Sequence, residues 1–549
     1  MSDDETGRAA PSGSMAEAFR QAVDHALKGD TAAALFSEQA ALASRLTEIV
    51  AGETPEVART GDRRFADPLW TENPLFRMSL LAYQAWAQAS ARMSDAFGLD
   101  DASSKRLRIL STMMTDMLAP TNTLAGNPAA MRRAMETGGM SLLEGMRNFM
   151  ADMVSNRGMP SQVDRSKYQV GGNLAVTSGS VVLRTALFEL IRYAPVSATV
   201  RSVPLLVVPS MINKFYALDL APGRSFVEYM RDRGIQVFII SWKNPDADAA
   251  DWGFSTYAEA VDEAYRATCD LAGTETANVL SVCAGGMVSS AFAARRAALG
   301  QRQPQSLTLV VTMLDNAMQE STLGLFATGE TVDAARRLSR AQGFVDGRDL
   351  ASTFAWLRPN ELVWSYWVNN YLMGNPPPAF DILYWNSDCT RLPARLHAGL
   401  LETGLDNAFA RKGGVVAGGV PVDLGAVTSD LYVLAGATDH ICPWQNAYQS
   451  LRLFSGAGSS AFVLANSGHV QSFINPPGNP KSTHHVAGDL SRDAEGWLET
   501  ATRREGSFWE HWVQWVLERS GAEVPAPASP GNNRYPVLCA APGTYVHEQ

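Results

Sequence analysis

A single cysteine lies where a predicted strand meets a predicted helix in a run of small residues. The segment 278–290 reads NVLSVCAGGMVSS and places Cys283 directly before a helix-forming stretch. A thiol at such a turn is either a small buried apolar residue or a nucleophile. Ala284 and Gly285 supply the small neighbours that a sharp turn requires, although Ser281 replaces the first glycine of the G-x-S-x-G pattern. The helix dipole and free amides favour a thiolate, so Cys283 is a candidate nucleophile.

Two further residues follow apolar runs later in the chain. Asp439 comes after the run 430–436, and His469 comes after the run 460–466. In enzymes of the α/β-hydrolase fold, the nucleophile, the acid and the histidine follow three strands in that order. The order predicts a triad in which His469 is the general base for Cys283 and Asp439 supports it.

The same turn predicts where a negatively charged reaction intermediate would be held. The backbone amide of Ala284 points toward the position at which an oxyanion would form. By analogy with the fold, a second amide comes from the loop after the apolar run 203–210, near Met211. Ala284 and Met211 are therefore the predicted oxyanion donors.

Other histidines and thiols fit a catalytic role less well. His440 adjoins Asp439 but would have to turn the other way, and Cys442 follows the acid rather than a strand, so we interpret both as structural. His484 and His485 occur in a polar stretch that predicts an exposed loop. The cysteines are odd in number and form no C-x-x-C pair, so neither a disulfide framework nor a metal site is predicted.

Short apolar runs alternate with helix-length segments from about residue 200 onward. Continuously apolar runs are typical of strands that are covered on both faces, and their alternation with helices predicts a mainly parallel sheet. The predicted strands are 203–210, 235–242, 277–283, 306–314, 430–436 and 460–466.

The local composition and apolar periodicity of the chain predict its domain organisation. Residues 1–15 are predicted to be a disordered tail, and 16–190 a mainly helical N-terminal domain rich in Ala, Met and Leu. Residues 191–549 are predicted to form the α/β-hydrolase catalytic domain. The alternation of strands and helices is interrupted at about 316–428, a segment rich in Trp, Tyr and Pro. This composition favours an inserted cap over the site. A second packing layer without a catalytic role would have the same composition.

Composition and charge exclude several classes of protein. Of 549 residues, 46 are Lys or Arg and 56 are Asp or Glu, which gives a net charge of −10 and disfavours binding to nucleic acid. The first residues lack the apolar core of a signal peptide, and the apolar runs are shorter than the ~18–20 residues of a membrane span. We therefore expect a cytoplasmic protein without a transmembrane segment.

Several segments together resemble the poly(3-hydroxyalkanoate) synthases, which polymerise hydroxyacyl-CoA into storage polyester. The resemblance extends from about residue 63 to the C-terminus and gives the α/β-hydrolase prediction a more specific basis than the turn alone. The segments that carry it are RRFADPLWTENPLFR, VGGNLAVTSGSVVLRTALFELIRYAP, PSMINKFYALDLAPGRSFVEYM, IISWKNPDA, SVCAGG, LRPNELVWSYWVNNYLMGNPPPAFDILYWNSD, TDHICPW and SGHVQSFINPP.

The resemblance implies an acyltransferase and a set of partners. The family's nucleophile, aspartate and histidine fall on Cys283, Asp439 and His469. It implies polymerisation of (R)-3-hydroxyacyl-CoA through a covalent cysteine thioester, with CoA released and no cofactor, since the CoA thioester is the substrate. It also implies a self-sufficient homodimer that holds a growing polyester chain at the surface of cytoplasmic granules.

Two alternatives remain open at this point. A thioesterase, esterase or polyester depolymerase would use the same fold, because fold does not determine reaction type. Such a hydrolase more often carries serine at the turn. A non-catalytic granule-binding relative is the other alternative, and the complete set of Cys283, Asp439 and His469 argues against it.

Overall fold

A computed structural model of the protein describes residues 29–53, 61–318, 321–327 and 329–549. The predicted tail, 1–15, lies outside the described residues. In chain order the structure contains the α-helices α1 (Gly29–Ala51), α2 (Leu69–Glu72), α3 (Pro74–Ala96), α4 (Asp101–Met117), α5 (Pro128–Glu136), α6 (Met140–Ser155), α7 (Phe226–Arg231), α8 (Phe254–Ala272), α9 (Ala284–Ala298), α10 (Thr322–Phe326), α11 (Gly329–Gln342), α12 (Gly347–Trp356), α13 (Ser365–Trp367), α14 (Asp381–Ser387), α15 (Ala394–Leu405), α16 (Trp444–Leu451), α17 (Gln471–Ile474), α18 (Ala494–Thr500) and α19 (Phe508–Leu517).

The strands follow the same order along the chain. They are β1 (Gly179–Arg184), β2 (Phe188–Tyr193), β3 (Thr199–Arg201), β4 (Leu205–Val208), β5 (Val237–Trp242), β6 (Asn278–Val282), β7 (Ser306–Val310), β8 (Phe344–Val345), β9 (Leu392–Pro393), β10 (Val416–Ala417), β11 (Val420–Pro421), β12 (Asp430–Gly436), β13 (Ser460–Ala465), β14 (Thr483–Val486), β15 (Thr502–Glu505), β16 (Glu523–Pro525) and β17 (Cys539–Ala540).

The chain divides into two compact units. The helical unit contains the residues up to Asp164 together with Leu325–Asp333 and Ser352–Phe380. The sheet unit contains Arg165–Gly324, Ala334–Ala351 and Asp381–Gln549.

The main sheet has eleven strands in the order β15-β14-β13-β12-β7-β6-β4-β5-β2-β1-β17. Its central strands, from β5 through β4, β6, β7 and β12 to β13, pair in parallel, and the flanking strands pair antiparallel. These parallel strands are the six that the apolar runs predict. The predicted parallel centre is therefore confirmed, and antiparallel strands extend it at both edges.

Successive side chains of the central strands point to opposite faces of the sheet, and each face packs into a hydrophobic core. Leu206 and Val208 of β4 pack into one buried cluster, whereas Leu205 and Val207 pack into the other. This two-residue period is the signature of a strand with both faces covered. Because these strands are parallel, their carboxyl ends lie at the same edge of the sheet, and the loops there can build a site.

The predicted boundary at 190/191 differs from the observed division, because β1 and β2 belong to the main sheet. The reason lies in the sequence of β2, FELIRY, whose two charged residues interrupt its apolar character although every residue is buried. Glu189 accepts hydrogen bonds from Arg184 and Thr544, and Arg192 donates one to the side chain of Gln236. Thr544 and Gln236 come from distant parts of the chain, so the sequence alone does not reveal a buried strand here.

The predicted insertion, about 316–428, does lie between two sheet strands, β7 and β12. It is not one body, because Ser352–Phe380 belongs to the helical unit. There the Tyr371 hydroxyl donates a 2.7 Å hydrogen bond to Asp152 of α6, and the Phe149 ring contacts the rings of Trp367 and Tyr371 edge-on. The remainder of the insertion folds with the sheet unit.

The buried carboxylate of Asp219, in the loop after β4, is hydrogen-bonded to the segment before β1. Asp219 accepts hydrogen bonds from the hydroxyls of Thr177, Ser225 and Tyr193. Burial raises the pKa of Asp219, while the three hydroxyl donors act in the opposite direction. Asp219 is thus a structural residue of the sheet unit.

We expect Asp219→Ala to lower the free energy of unfolding by about 3 kcal/mol, because the change leaves buried hydroxyls without an acceptor. Urea unfolding at fixed protein concentration measures the effect. Asp219→Asn keeps one oxygen acceptor and should cost less. The exposed Asp251→Ala is the control and should change stability by less than about 0.5 kcal/mol. Equal stability of Asp219→Ala and the control would contradict this role.

Candidate active site

Cys283 occupies a strained turn between β6 and α9. Its backbone angles are φ 55° and ψ −125°, a region that a residue with a Cβ seldom adopts. Three hydrogen bonds hold the turn: the Cys283 amide donates to Val310 of β7 (2.9 Å), and the Cys283 carbonyl accepts from the Gly286 amide (2.9 Å) and the Thr312 hydroxyl (3.0 Å). The predicted strand–turn–helix geometry is present, with the thiol at the carboxyl end of the parallel strands.

The small residues around the turn allow the helix to approach the sheet. A Cβ on Gly285 would lie 2.6 Å from the Val208 carbonyl oxygen, and a Cβ on Gly286 would overlap the Thr312 side chain. Ser281 fits in place of the first glycine because its buried hydroxyl donates a 2.7 Å hydrogen bond to Ser289. Substitution of glycine by serine at this position is therefore compatible with the turn.

Asp439 and His469 meet as the chain order predicts. His469 Nδ1 donates to Asp439 Oδ2 over 2.6 Å. Asp439 Oδ1 accepts from the backbone amides of Ile441 and Cys442, each over 2.9 Å. Both oxygens of the carboxylate are thereby engaged, and Nε2 of His469 is directed away from it.

The side chains of two thiols, Cys283 and Cys442, interact with His469 and act on its pKa. Burial alone would lower the pKa of His469. The negative charge on the Cys283 sulfur and the hydrogen bond to Asp439 outweigh burial and hold the pKa of His469 well above its usual range. An imidazole with this environment retains its proton when Cys283 is a thiolate, which is the charge distribution of an activated cysteine nucleophile.

Cys442 is the residue of the site that sequence reasoning missed. Its position after the acid predicts a packing role, yet its buried sulfur lies within 4.8 Å of donor atoms of His469 and Asp439. Burial raises the pKa of the Cys442 thiol to about 12, while the contact with His469 acts in the opposite direction. The sequence signal for this position is the spacing of three residues between Asp439 and Cys442. An aspartate at a strand end can accept a hydrogen bond from the backbone amide three residues later, which turns that residue toward the aspartate.

A narrow pocket opens onto the thiol of Cys283. Its volume is about 50 Å³. Its walls are largely apolar, with a lysine and a serine at one side. Residues from four segments line it, among them Ser210, Lys214, Phe215, Leu218, Cys283, Trp385, His469 and Phe473.

The predicted oxyanion donors lie on the two expected segments. Ala284 is the first residue of α9, directly after Cys283. Met211 lies in the loop after β4 and is buried in the hydrophobic core of the sheet unit. The role of these two amides stays a prediction.

The end of the insertion is anchored on the loop that forms this pocket. Trp385 Nε1 donates a 2.7 Å hydrogen bond to the carbonyl of Lys214, and the Lys214 ammonium pairs with Asp388 over 2.9 Å. Both charged side chains are at most 4% exposed. The hydroxyl of Tyr216 also donates to Asp388, over 2.7 Å. These contacts fix Trp385 in the pocket wall.

The structure corrects the expectation for His484, which was predicted to lie in an exposed loop. His484 is 4% exposed and belongs to β14, where it pairs with Ala465 on one side and Arg504 on the other. Its Nδ1 lies 3.0 Å from the Gly506 carbonyl, and burial lowers its pKa. His485 is on the same strand. The polar composition of this segment does not predict a strand, because its burial depends on the neighbouring strands β13 and β15.

Comparisons with known proteins agree with this architecture. A family model described as Poly-beta-hydroxybutyrate polymerase (PhaC) N-terminus matches residues 61–230, and a model of the alpha/beta hydrolase fold matches 204–476. Poly(3-hydroxyalkanoate) polymerase 1 of Ectopseudomonas oleovorans is 45% identical over 507 residues, covering 92% of this chain and 89% of that protein. The chain belongs to the poly(3-hydroxyalkanoate) polymerase family. The predicted resemblance is confirmed, and with it the assignment to an enzyme family of acyltransferases.

A second polymerase relative and a solved structure complete the comparison. The poly(3-hydroxyalkanoate) polymerase subunit PhaC of Cupriavidus necator is 40% identical over 492 residues, covering 88% of this chain and 83% of that protein. A monoacylglycerol lipase from Paleococcus ferrophilus aligns with 60% of this polymerase family member and 99% of its own chain, at 11% identity and a TM-score of 0.33. The predicted α/β-hydrolase fold is confirmed by the family model.

No bilayer-crossing helix occurs in the part of this polymerase family member that the structure describes. None of the helices there combines the necessary length with the necessary apolar character.

We expect Gly286→Ala to lower the free energy of unfolding by about 2 kcal/mol and to slow alkylation of Cys283, because the added methyl overlaps Thr312 and shifts the turn. Urea unfolding and the rate of reaction with iodoacetamide, followed by mass spectrometry, measure the two effects. Gly404→Ala in α15 is the matched control, since a Cβ there meets nothing within 4 Å. An alkylation rate equal to that of the wild type would show that the turn tolerates a larger residue.

Proposed function

We propose that this protein polymerises (R)-3-hydroxyacyl-CoA into poly(3-hydroxyalkanoate) and releases CoA, with the growing chain held as a thioester on Cys283. The observation that carries the proposal is the contact of the Cys283 thiol with His469, which is itself bound to Asp439, in a member of this family. A cysteine suits the task because thioester exchange between two thiols is nearly balanced in free energy, so the acyl group stays activated.

The first half of the cycle is acyl transfer to the enzyme. His469 takes the thiol proton, and the Cys283 sulfur attacks the carbonyl carbon of the CoA thioester. The carbon–sulfur bond to CoA then breaks, and His469 returns the proton to the departing CoA sulfur. The raised pKa of His469 supports this step, because the imidazolium is available as the acid.

The second half forms one ester bond. The 3-hydroxyl of another hydroxyacyl unit gives its proton to His469, and its oxygen attacks the thioester carbonyl on Cys283. The bond to the Cys283 sulfur breaks and the thiolate is regenerated. Asp439 orients His469 rather than accepting the hydroxyl proton itself, because both its oxygens already accept hydrogen bonds.

In both halves of the cycle the carbonyl oxygen of the attacked thioester becomes negatively charged and needs hydrogen-bond donors. We assign this role to the backbone amides of Ala284 and Met211. The position of Ala284 at the start of α9 supports its part, since the first amides of a helix have no partner within the helix. The cycle needs no cofactor, because the CoA thioester supplies the activated acyl group.

Water has to be excluded from the thioester, and the insertion is proposed to do so. Trp385 and its anchors in the sheet unit support this role, since they narrow the pocket to about 50 Å³. A hydroxyacyl chain is larger than that volume, so the pocket walls have to move apart before the substrate reaches Cys283. Closure around the acyl group then protects the intermediate from hydrolysis.

The product is an insoluble polyester, which determines where the enzyme would act. We propose that the protein works as a homodimer at the surface of polyester granules in the cytoplasm, as the resemblance to the self-sufficient synthases implies.

We expect Cys283→Ala to reduce both CoA release and polymer formation by about 10⁴-fold or more, because the covalent route is lost. The assay supplies (R)-3-hydroxybutyryl-CoA and follows free thiol and polymer together, and mass spectrometry of quenched wild-type enzyme locates the acyl group. Cys539→Ser, at a partly exposed thiol on β17, is the control and should retain activity.

The competing hydrolase function predicts a different product. A thioesterase or esterase would release CoA and free hydroxy acid without polymer. That outcome would refute the proposed reaction, and polymer formation by Cys283→Ala would refute the proposed nucleophile.

A further inference from the structure

Two neighbouring strand ends leave the sheet with the same unusual backbone conformation. Cys283 has φ 55° and Val311 has φ 44°, and they follow Val282 and Val310, which are paired in the register of β6 and β7. Six non-glycine residues in the described part of the chain have positive φ angles, and Val311 is the only β-branched residue among them. This conformation is rare for a β-branched residue because the two groups on its Cβ crowd the backbone. Val311 is therefore held there at a cost in free energy.

We propose that Val311 is a positioning residue for the nucleophile: its left-handed backbone folds Thr312 back onto Cys283 and thereby fixes the direction of the thiol. Val311 is 1% exposed, so its side chain is enclosed by protein and it acts through Thr312. The proposal rests on the proposed function for the reaction of the thiol, which is acylation by the substrate. It rests on hydrogen bonds and backbone angles for the geometry of the turn.

The residues on both sides of Val311 bind Cys283. The Val310 carbonyl accepts a 2.9 Å hydrogen bond from the Cys283 amide, and the Thr312 hydroxyl lies 3.0 Å from the Cys283 carbonyl. The same hydroxyl lies 3.1 Å from the Val310 carbonyl, so Thr312 is folded back toward the residue that precedes the turn. An extended residue at position 311 would carry Thr312 onward along the strand, by about 3.3 Å per residue, and away from Cys283. The left-handed turn at Val311 therefore allows its two neighbours to bind one residue.

Contacts with the neighbouring strand and the core hold Val311 in this conformation. Its amide donates a 2.7 Å hydrogen bond to the Leu434 carbonyl of β12, and its side chain is buried in the hydrophobic core that also contains Leu434. Thr312 packs closely against Gly286 of α9, where an added Cβ would overlap the threonine side chain. The strand β12 is thus connected to the nucleophile through Val311 and Thr312.

Valine makes this turn rigid, whereas glycine would make it free of strain. Glycine adopts positive φ angles readily, but it also permits many other conformations. A buried β-branched side chain restricts the backbone and its own rotamers, so the strain at Val311 comes with rigidity. If the turn only ended the strand, glycine would leave the reactivity of Cys283 unchanged. If the turn positions Thr312, glycine would lower that reactivity.

Glycine and alanine at position 311 separate stability from reactivity, because they differ by one methyl group. We expect Val311→Gly to resist urea at least as well as Val311→Ala, since only glycine relieves the strain. Cys283 of Val311→Gly should nevertheless react with iodoacetamide at least about tenfold more slowly than Cys283 of Val311→Ala. With (R)-3-hydroxybutyryl-CoA, kcat of Val311→Gly should fall by about 10–100-fold, while KM should change by less than about threefold.

Val237 of β5 is the matched control, because it is a buried valine of the same hydrophobic core with ordinary strand geometry. There Val237→Gly should be less stable to urea than Val237→Ala, since glycine weakens an extended strand. The order of stability is thus expected to be opposite to that at Val311. The alkylation rate of Cys283 should be the same in the two Val237 variants.

Variants of Thr312 test the second step of the proposal without altering Val311. Thr312→Val keeps the shape of the side chain but lacks the hydroxyl, and it should slow alkylation of Cys283 at least about tenfold. Thr312→Ser keeps the hydroxyl and should react within about threefold of the wild-type rate. Val311→Gly combined with Thr312→Val should be slower than Thr312→Val alone by less than about twofold, because the effects of residues that act through one another do not add.

Equal alkylation rates in Val311→Gly and Val311→Ala would overturn the positioning role, and so would an unchanged rate in Thr312→Val. A Val311→Gly protein that is unfolded where Val311→Ala is folded would also overturn it, because glycine would then relieve no strain. The proposed function is tested separately, since alkylation requires no CoA substrate. Different alkylation rates without acylation of the wild type refute the function but not the positioning role. Acylation of the wild type with equal alkylation rates refutes the positioning role but not the function.

Discussion

The left-handed backbone of Cys283 is the constraint on which the site depends. A non-glycine residue in such a region costs about 1–3 kcal/mol and persists only where its surroundings enforce it. Here the enforcement comes from the neighbouring strand β7 and the loop that follows it, through the Val310 carbonyl and the Thr312 hydroxyl. The sheet therefore stores the strain that projects the thiol toward His469.

Much of this architecture can be predicted from the sequence. Strands covered on both faces are almost uninterrupted apolar runs, and the six runs identified in this way are the six parallel strands at the centre of the sheet. Catalytic residues of this fold follow such strands, so Cys283, Asp439 and His469 can be proposed from position and order alone. The structure then brings them together.

Two of the parts that escape prediction, β2 and His484, depend on pairing with residues that are distant in the sequence. The buried strand β2 contains Glu189 and Arg192, whose hydrogen-bond partners include Thr544 and Gln236, far along the chain. His484 lies in a polar segment, which forms the strand β14 by pairing with β13 on one side and β15 on the other. Cys442 escapes prediction for a local reason: the nearby Asp439 carboxylate accepts its backbone amide and thereby sets its direction, which its own residue type does not reveal.

The Lys214–Asp388 pair has a consequence for how the insertion can change. Two charges at most 4% exposed are stable together, whereas either one alone costs about 3–5 kcal/mol. A change of charge in the loop after β4 therefore destabilises the protein unless the end of the insertion changes with it. A chimera that imports a foreign insertion has to bring both members of the pair, or replace both with apolar residues of similar volume.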